Sequence, residues 1–480
     1  MLQNKSIKIF DEMKDFFTSS EKAIFKTIKI YEHLKLNTLL KKENLKSWEY
    51  PKGEVLLHMM LFPLSLIKNV KGYVGSFLFQ YFGAGHDVFY RFKKDSQINW
   101  RHILDQVNER LQKKIQTRGQ DDKTQPKCLI VDDTEIEKRG IFIEHVSRVW
   151  SHVSQKSILG FKGLFLGYWD SKTFIGLDFS LHKEKGKNIK YPFGLTKKQL
   201  KAQYKKKRNK SDISYDREKE LQISKIEVAC KMIDKAKSKN VNFEYLLADS
   251  WFVCEQLLLC VLNTGANLLG MAKLGKTNYN YRGKRKTAKS LIELLKRNKN
   301  IRYSRKLHMF TSEIIVSMNN IPVKLFFYKT SKRARWHMLL SSNTKLSAIR
   351  AYEIYSIRWS IEVFFKEAKQ YFNLGQCQSR DFDAQIADIS LIIMQYNIFS
   401  LAKRFTDYET LGELFKKTKD SVTELTVCKR IWGFILELLS LFSDIFAIDI
   451  EELVQLVLNA NNNKQNKILK LIEISMSNAA

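Results

Sequence analysis

The 480 residues contain no C-x-x-C pair. The six cysteines, at 128, 230, 254, 260, 377 and 428, lie scattered without a His-rich counterpart, which argues against a zinc module or disulfide framework and for a reducing compartment. The nine histidines form no H-E-x-x-H cluster and no G-x-S-x-G elbow is present, so zinc-protease and serine-hydrolase chemistry have no support. Long apolar runs are scarce. Of the two best, Val55 to Ile67 is too short to cross a bilayer, and Ile431 to Ile450 carries Glu437, Asp444 and Asp449; both read as buried or dimer helices. The opening MLQNKSIKIFDEMKDFF is charged from the start and shows no secretory pattern, so a cytoplasmic location is expected. Acidic residues are outnumbered too: 50 Asp+Glu face 82 Lys+Arg, giving a net charge of +32. A polyanionic partner explains that excess most simply, because each neutralised phosphate releases counterions. With 44% hydrophobic and 12% aromatic residues the chain still has ample material for folded cores.

Length suggests roughly two to four domains. Residues 1–120 are helix-rich, with amphipathic stretches near 20–40, 54–82 and 100–115 and a turn at Phe82-Gly83-Ala84-Gly85. From Lys127 the periodicity changes. KCLIVDDTEI is a short β-rich run ending in acids, and GLFLGYWD and TFIGLDFSLHK are two more, joined by Asp170-Ser171-Lys172. A helix around 214–238, a strand at 243–249, a helix around 252–263 and a strand at 266–272 follow. Three strands, then helix, strand, helix, strand, is the order of an α/β ribonuclease-H-like core. The spacing predicts its first part over 121–275, a β-rich insertion over 276–345, its second part over 346–404, and a helical C-terminal region over 405–480.

The most informative segment is IYSIRWSIEVFFKEAKQYFNL, where Tyr355, Arg358, Glu362 and Lys369 are spaced three, four and seven apart. At about 100° per helical residue they fall in a stripe roughly 60° wide, beside an apolar stripe of Ile354, Ile357, Ile361, Phe365, Ala368 and Phe372. A solvated face with Arg358–Glu362 pairing would also give this pattern. In an α/β core, Asp132 and Asp249 stand at strand ends, where such sheets place active groups, and Glu362 comes from a helix beside them. Carboxylate oxygens suit hard divalent cations, and two such ions serve phosphodiester displacement.

Taken together, these motifs resemble the DDE transposases of bacterial insertion sequences, specifically the insertion-sequence-four superfamily. Its hallmark is Tyr, two residues, Arg, three residues, Glu, six residues, Lys, matched here at 355, 358, 362 and 369. The likeness runs from about Lys127 to Phe399 and includes DDT and LADSWF. It implies a metal-binding triad of Asp132, Asp249 and Glu362, with Asp133 as competitor for the first place; Asp132 is favoured because it precedes Thr134 by two residues. It also implies Mg²⁺, with Mn²⁺ able to replace it, and phosphate grip by Tyr355, Arg358 and Lys369. Trp336 would receive a flipped base, should a hairpin form on the transposon end. The implied partners are double-stranded DNA, as terminal inverted repeats and target, and a second copy in a synaptic homodimer. No membrane is implied, and the location would be the bacterial nucleoid. Residues 1–120 would bind DNA and 405–480 would mediate dimerisation.

Two basic runs invite DNA. KKQLKAQYKKKRNK (197–210) holds eight cations, among them Lys205, Lys206, Lys207 and Arg208; RGKRKTAK (282–289) adds Arg282, Lys284 and Arg285. Both are candidate backbone contacts, or plain solvated loops. GMAKLGKT (270–277) fits a nucleotide-binding loop that would use Lys276, but NYNYRGKRK after it is a poor helix start. A P-loop ATPase and a catalytically silent DNA-binding derivative of a transposase remain the alternatives.

Overall fold

The computed structural model describes residues 84–117 and 124–404 apart from 276, with parts of 40–73 and 409–419. Residues 30–412 form one compact unit; 1–29 with 413–480 form another. The stretches expected near 20–40 and 431–450 and the turn at 82–85 lie wholly or partly outside the described residues, as does most of 405–480.

Among the described residues of the first unit, twelve strands build one sheet. They are β1 (Cys128–Glu137), β2 (Ser147–Ser151), β3 (Lys156–Trp169), β4 (Phe174–His182), β5 (Tyr245–Ala248), β6 (Asn267–Ala272), β7 (Asn278–Tyr281), β8 (Lys284–Thr287), β9 (Arg302–Ser304), β10 (Met309–Met318), β11 (Ile321–Lys329) and β12 (His337–Ser341). On one side the order is β4-β3-β1-β5-β6, with β1 antiparallel to β3, β3 antiparallel to β4, and β1, β5 and β6 parallel. This mixed sheet flanked by helices is compatible with a ribonuclease-H-like DDE domain. Strand β12 pairs antiparallel with β6 and carries the sheet on through β11, β10, β7 and β8. The strands of segment 276–345 are therefore built into the same sheet.

Local chemistry explains where elements begin and end. Asp170 accepts from the backbone of Lys172 and Thr173 at 3.0 and 2.7 Å, closing the β3–β4 hairpin as an Asx turn. The helix expected around 214–238 is two, Ile213–Glu220 and α2 (Lys225–Ser238), because Ser224 starts a new N-cap by accepting from Glu227 N. Before it lies α1 (Trp100–Thr117) and after it α3 (Glu255–Asn263). The motif segment is also two helices, α4 (Ala348–Ser356) and α5 (Trp359–Tyr371). Tight i→i+3 bonds, Ile357 N to Ile354 O and Arg358 N to Tyr355 O, separate them.

Helix α6 (Phe382–Arg404) is apolar nearly all round and correspondingly buried along most of its length. Its Asn397 accepts from Gly176 N and donates to Gly176 O, both at 2.8 Å, and also donates to Asn108 of α1. A Cβ at Gly176 would stand 2.7 Å from Ile393, so the helix packs this closely only against glycine. Among the described residues no helix is long and apolar enough to cross a membrane.

Candidate functional site

Strand register brings the first two acids together. Val131 of β1 pairs with Ala248 of β5, so Asp132 and Asp249 are the next residues on adjacent parallel strands. Asp132 is not at its strand's end, as the sequence suggests, because β3 pairs along β1 as far as Glu137. It sits instead where the parallel neighbour stops. The side-chain alternation of a strand then separates the two competing aspartates. Asp133 turns away to ion-pair with Lys225 and approach Lys162 at 3.9 Å, whereas Asp132 accepts from Arg358 Nη1 at 2.8 Å.

Helix α5 supplies the rest. Arg358, at its N-cap, also donates to Glu362 one turn on, so one guanidinium joins Asp132 to Glu362. Further along, Lys369 donates to Thr134 Oγ1 at 2.8 Å, two residues from Asp132 on the same strand. The stripe expected from a single helix is thus corrected: Arg358, Glu362 and Lys369 belong to α5, while Tyr355 closes α4 across the break. Its ring nevertheless stands 5.7 Å from the Arg358 guanidinium carbon. The apolar stripe packs as expected, with Ile354, Ile361, Phe365, Ala368 and Phe372 buried and Ile357 at its edge.

Electrostatics mark this spot. Burial pushes the Asp132 carboxyl up to about 7; Arg358 opposes the shift and the nearby Asp249 adds to it. Burial likewise raises the Tyr355 phenol to about 12, with the adjacent Arg358 guanidinium opposing the shift. Asp249 accepts from Trp251 N at 2.8 Å and Phe252 N at 3.3 Å, which fixes its carboxylate. Gly270 of β6 lets the turn after Asp249 lie close, since a Cβ there would meet Val253 at 2.4 Å. Among the described residues, no three His, Cys, Asp or Glu side chains stand ready to hold a metal ion. The guanidinium of Arg358 lies between Asp132 and Glu362. The donor set nonetheless fits a hard divalent cation: oxygen ligands only, one of them partly withdrawn from water with Arg358 as its charge partner.

The basic run at 197–210 divides by direction. Its chain is extended past Ala202 and bonds to a neighbouring segment, Tyr204 N to Phe142 O at 2.9 Å and Lys206 N to Glu144 at 2.9 Å. Lys205 and Lys207 are exposed. Lys206 instead donates to Asp383 at 2.6 Å, and Arg208, 1% exposed in its side chain, pairs with Glu144 at 2.8 Å and Asp383 at 3.1 Å. Their charges are consumed inside the protein, which corrects the expectation that both contact DNA. Arg282, Lys284 and Arg285 are exposed on the β7–β8 hairpin, where Arg282 and Gly283 take φ of 51° and 76°, as a two-residue primed turn requires. Trp336 is half-buried in the loop before β12, with Lys329 Nζ 4.7 Å from its ring centre. Since Met338 pairs with Ala272 of β6, and Gly270 with Ala248, this loop lies at the Asp249 end of the sheet. Lys276 is outside the described residues, but strand β7 follows the Gly motif and no helix starts there.

Sequence reasoning misses three neighbours of the acids. Lys225 reaches Asp133 from α2, far off in the chain. Trp251, 47% exposed, and Trp359, 62% exposed, adjoin Asp249 and Arg358 in sequence, and large exposed indoles beside acidic motifs are the signal that was available.

Residues 79–277 match the family model described as DDE superfamily endonuclease, and residues 185–398 match that described as Transposase DDE domain. No curated protein matches the chain. The two matches support a DDE transposase, a nuclease-type enzyme whose substrate is DNA.

Proposed function

We propose that this chain is a cut-and-paste DNA transposase of the insertion-sequence-four kind, cleaving at transposon ends and joining 3′-hydroxyls to target DNA. The observation that carries it is the meeting of Asp132 and Asp249 on adjacent strands, with Glu362 tied to Asp132 through Arg358. Asp132, Asp249 and Glu362 would hold Mg²⁺, or Mn²⁺ in its place. Bound there, divalent ions supply Lewis acidity at the attacking and leaving oxygens of a phosphodiester.

The protein's own groups do the positioning. Arg358 gives a planar fork suited to phosphate, and on binding DNA it exchanges a carboxylate for a phosphate oxygen. Tyr355 offers a hydroxyl beside the Arg358 guanidinium, and Lys369 a point charge further along α5. Lys205, Lys207, Arg282, Lys284 and Arg285 extend the backbone contacts, and Trp336 receives a base beside the cut. Terminal inverted repeats, a synaptic homodimer through 405–480, end binding by 1–120 and a place at the nucleoid complete the reading.

The test is nicking of labelled DNA in Mg²⁺, with EDTA as control. Metal-dependent cutting by the wild type, lost in Asp132→Asn, Asp249→Asn and Glu362→Gln while DNA binding persists, is expected. Cutting that survives all three substitutions would overturn the assignment, and salt-sensitive binding without any cutting would favour the silent derivative.

A further inference from the structure

We propose that Trp251 stacks on an unpaired base of DNA beside the cleavage point and so positions the scissile strand. This rests on the DNA-cleaving reading above. Three observations carry it. The backbone of Trp251 is tied to the second acid, its N–H donating to Asp249 Oδ1 at 2.8 Å. The next residue, Phe252, is 1% exposed and anchors the turn in the core, whereas Trp251 leaves 47% of its surface in solvent. Its indole is also held in place: Phe252 meets it edge-on at 4.9 Å, and Lys225 Nζ lies 3.8 Å from a ring centre.

Lys225 links this indole to strand β1 as well, through the residue that follows the first acid. The same ammonium ion-pairs with Asp133, the neighbour of Asp132. The turn after β5 and the middle of β1 are therefore tied to one aromatic plate. An indole braced in this way loses little rotamer freedom when something lands on it. Nucleobases are the flat, sequence-tolerant partners that stack on such side chains, and a cation nearby favours the phosphate that accompanies them. A duplex keeps its bases paired and inaccessible, so the base concerned is one freed at a cut or frayed end.

Full-length protein is mixed, in Ca²⁺ to prevent turnover, with a duplex ending in a short single-stranded overhang. The overhang carries 2-aminopurine at successive positions, and a dye at the far end reports binding by anisotropy. Wild type and Trp251→Phe should quench 2-aminopurine at one position. Trp251→Leu, which keeps an apolar side chain but no ring, should lose that quench and bind on the order of tenfold more weakly, about 1.4 kcal/mol. Equal quenching by the Leu and Phe variants would overturn the proposal while leaving the DNA reading intact. No anisotropy change with wild type would overturn both.

Discussion

Arg358 holds Asp132 by a 2.8 Å hydrogen bond from the neighbouring helix. Its charge offsets two partly buried carboxylates, and its planar fork lets one side chain serve Asp132 and Glu362 together. Lysine has the charge but cannot span both. Arg358→Lys should therefore keep the fold while lowering the cleavage rate by roughly 10- to 100-fold, an order of magnitude taken from losing about 1.4–2.7 kcal/mol of positioning. Single-turnover nicking measures this, and a rate within twofold of wild type would show that bridging is dispensable.

The divided basic run gives paired expectations. Replacing exposed Lys205 and Lys207 by Ala should leave the melting temperature unchanged and flatten the dependence of log affinity on log salt by roughly 1.8, about 0.9 per phosphate contact. Arg208→Ala should do the opposite. It leaves the buried Glu144 carboxylate without its guanidinium and Asp383 with Lys206 alone, and should cost ~3–5 kcal/mol in urea unfolding. An unchanged salt slope in the first variant would remove those lysines from the DNA surface.

A buried histidine predicts a pH dependence. His182, 5% exposed on β4, is pushed down to about 4 by burial, with Lys225 adding to the effect. Its folded value lies below the ordinary histidine value of about 6.5, so the unfolded chain binds more protons between those limits and stability falls as pH drops from about 6.5 toward 4. At pH 5 this one group should cost about 2 kcal/mol relative to pH 7.5. His182→Gln should lose that part of the slope in urea titrations at the two pH values; identical slopes would contradict it.

The amide network on α6 is a matter of stability. Asn397→Ala leaves the buried N–H of Gly176 without its acceptor and removes a donor from Asn108 and Gly176 O. A loss of ~2–3 kcal/mol is expected, read as a fall in urea midpoint with unchanged DNA affinity. A shift under about 0.5 kcal/mol would mean that other groups take over those bonds.

How much of this was legible in the residues follows from what each signal measures. Hydrophobic runs gave β1, β3, β4, β5 and β6 in order, since an unbroken apolar stretch buried on both faces is local information. Spacing gave the Tyr-Arg-Glu-Lys segment its apolar side, but not the break between α4 and α5, because the tight turn at 354–358 contains neither proline nor glycine. The resemblance favoured Asp132 over Asp133 by its distance from Thr134, but which neighbours each aspartate faces depends on long-range pairing that no local pattern carries. Charge count flagged the run at 197–210, yet which cations reach solvent depends on acids at 144, 381 and 383, remote in sequence. The strands of 276–345 read as β-rich from composition, but their continuity with β6 is a long-range pairing that no local pattern carries.

The alignment of β1 with β5 carries a consequence for how this chain tolerates change. Adding or deleting one residue within Cys128–Val131 would turn the 132 carboxylate to the side now taken by 133, facing Lys225 and not Arg358, even if every strand still formed. The length of that short segment is therefore under stricter constraint than its composition: apolar residues there are interchangeable in kind, but not in number.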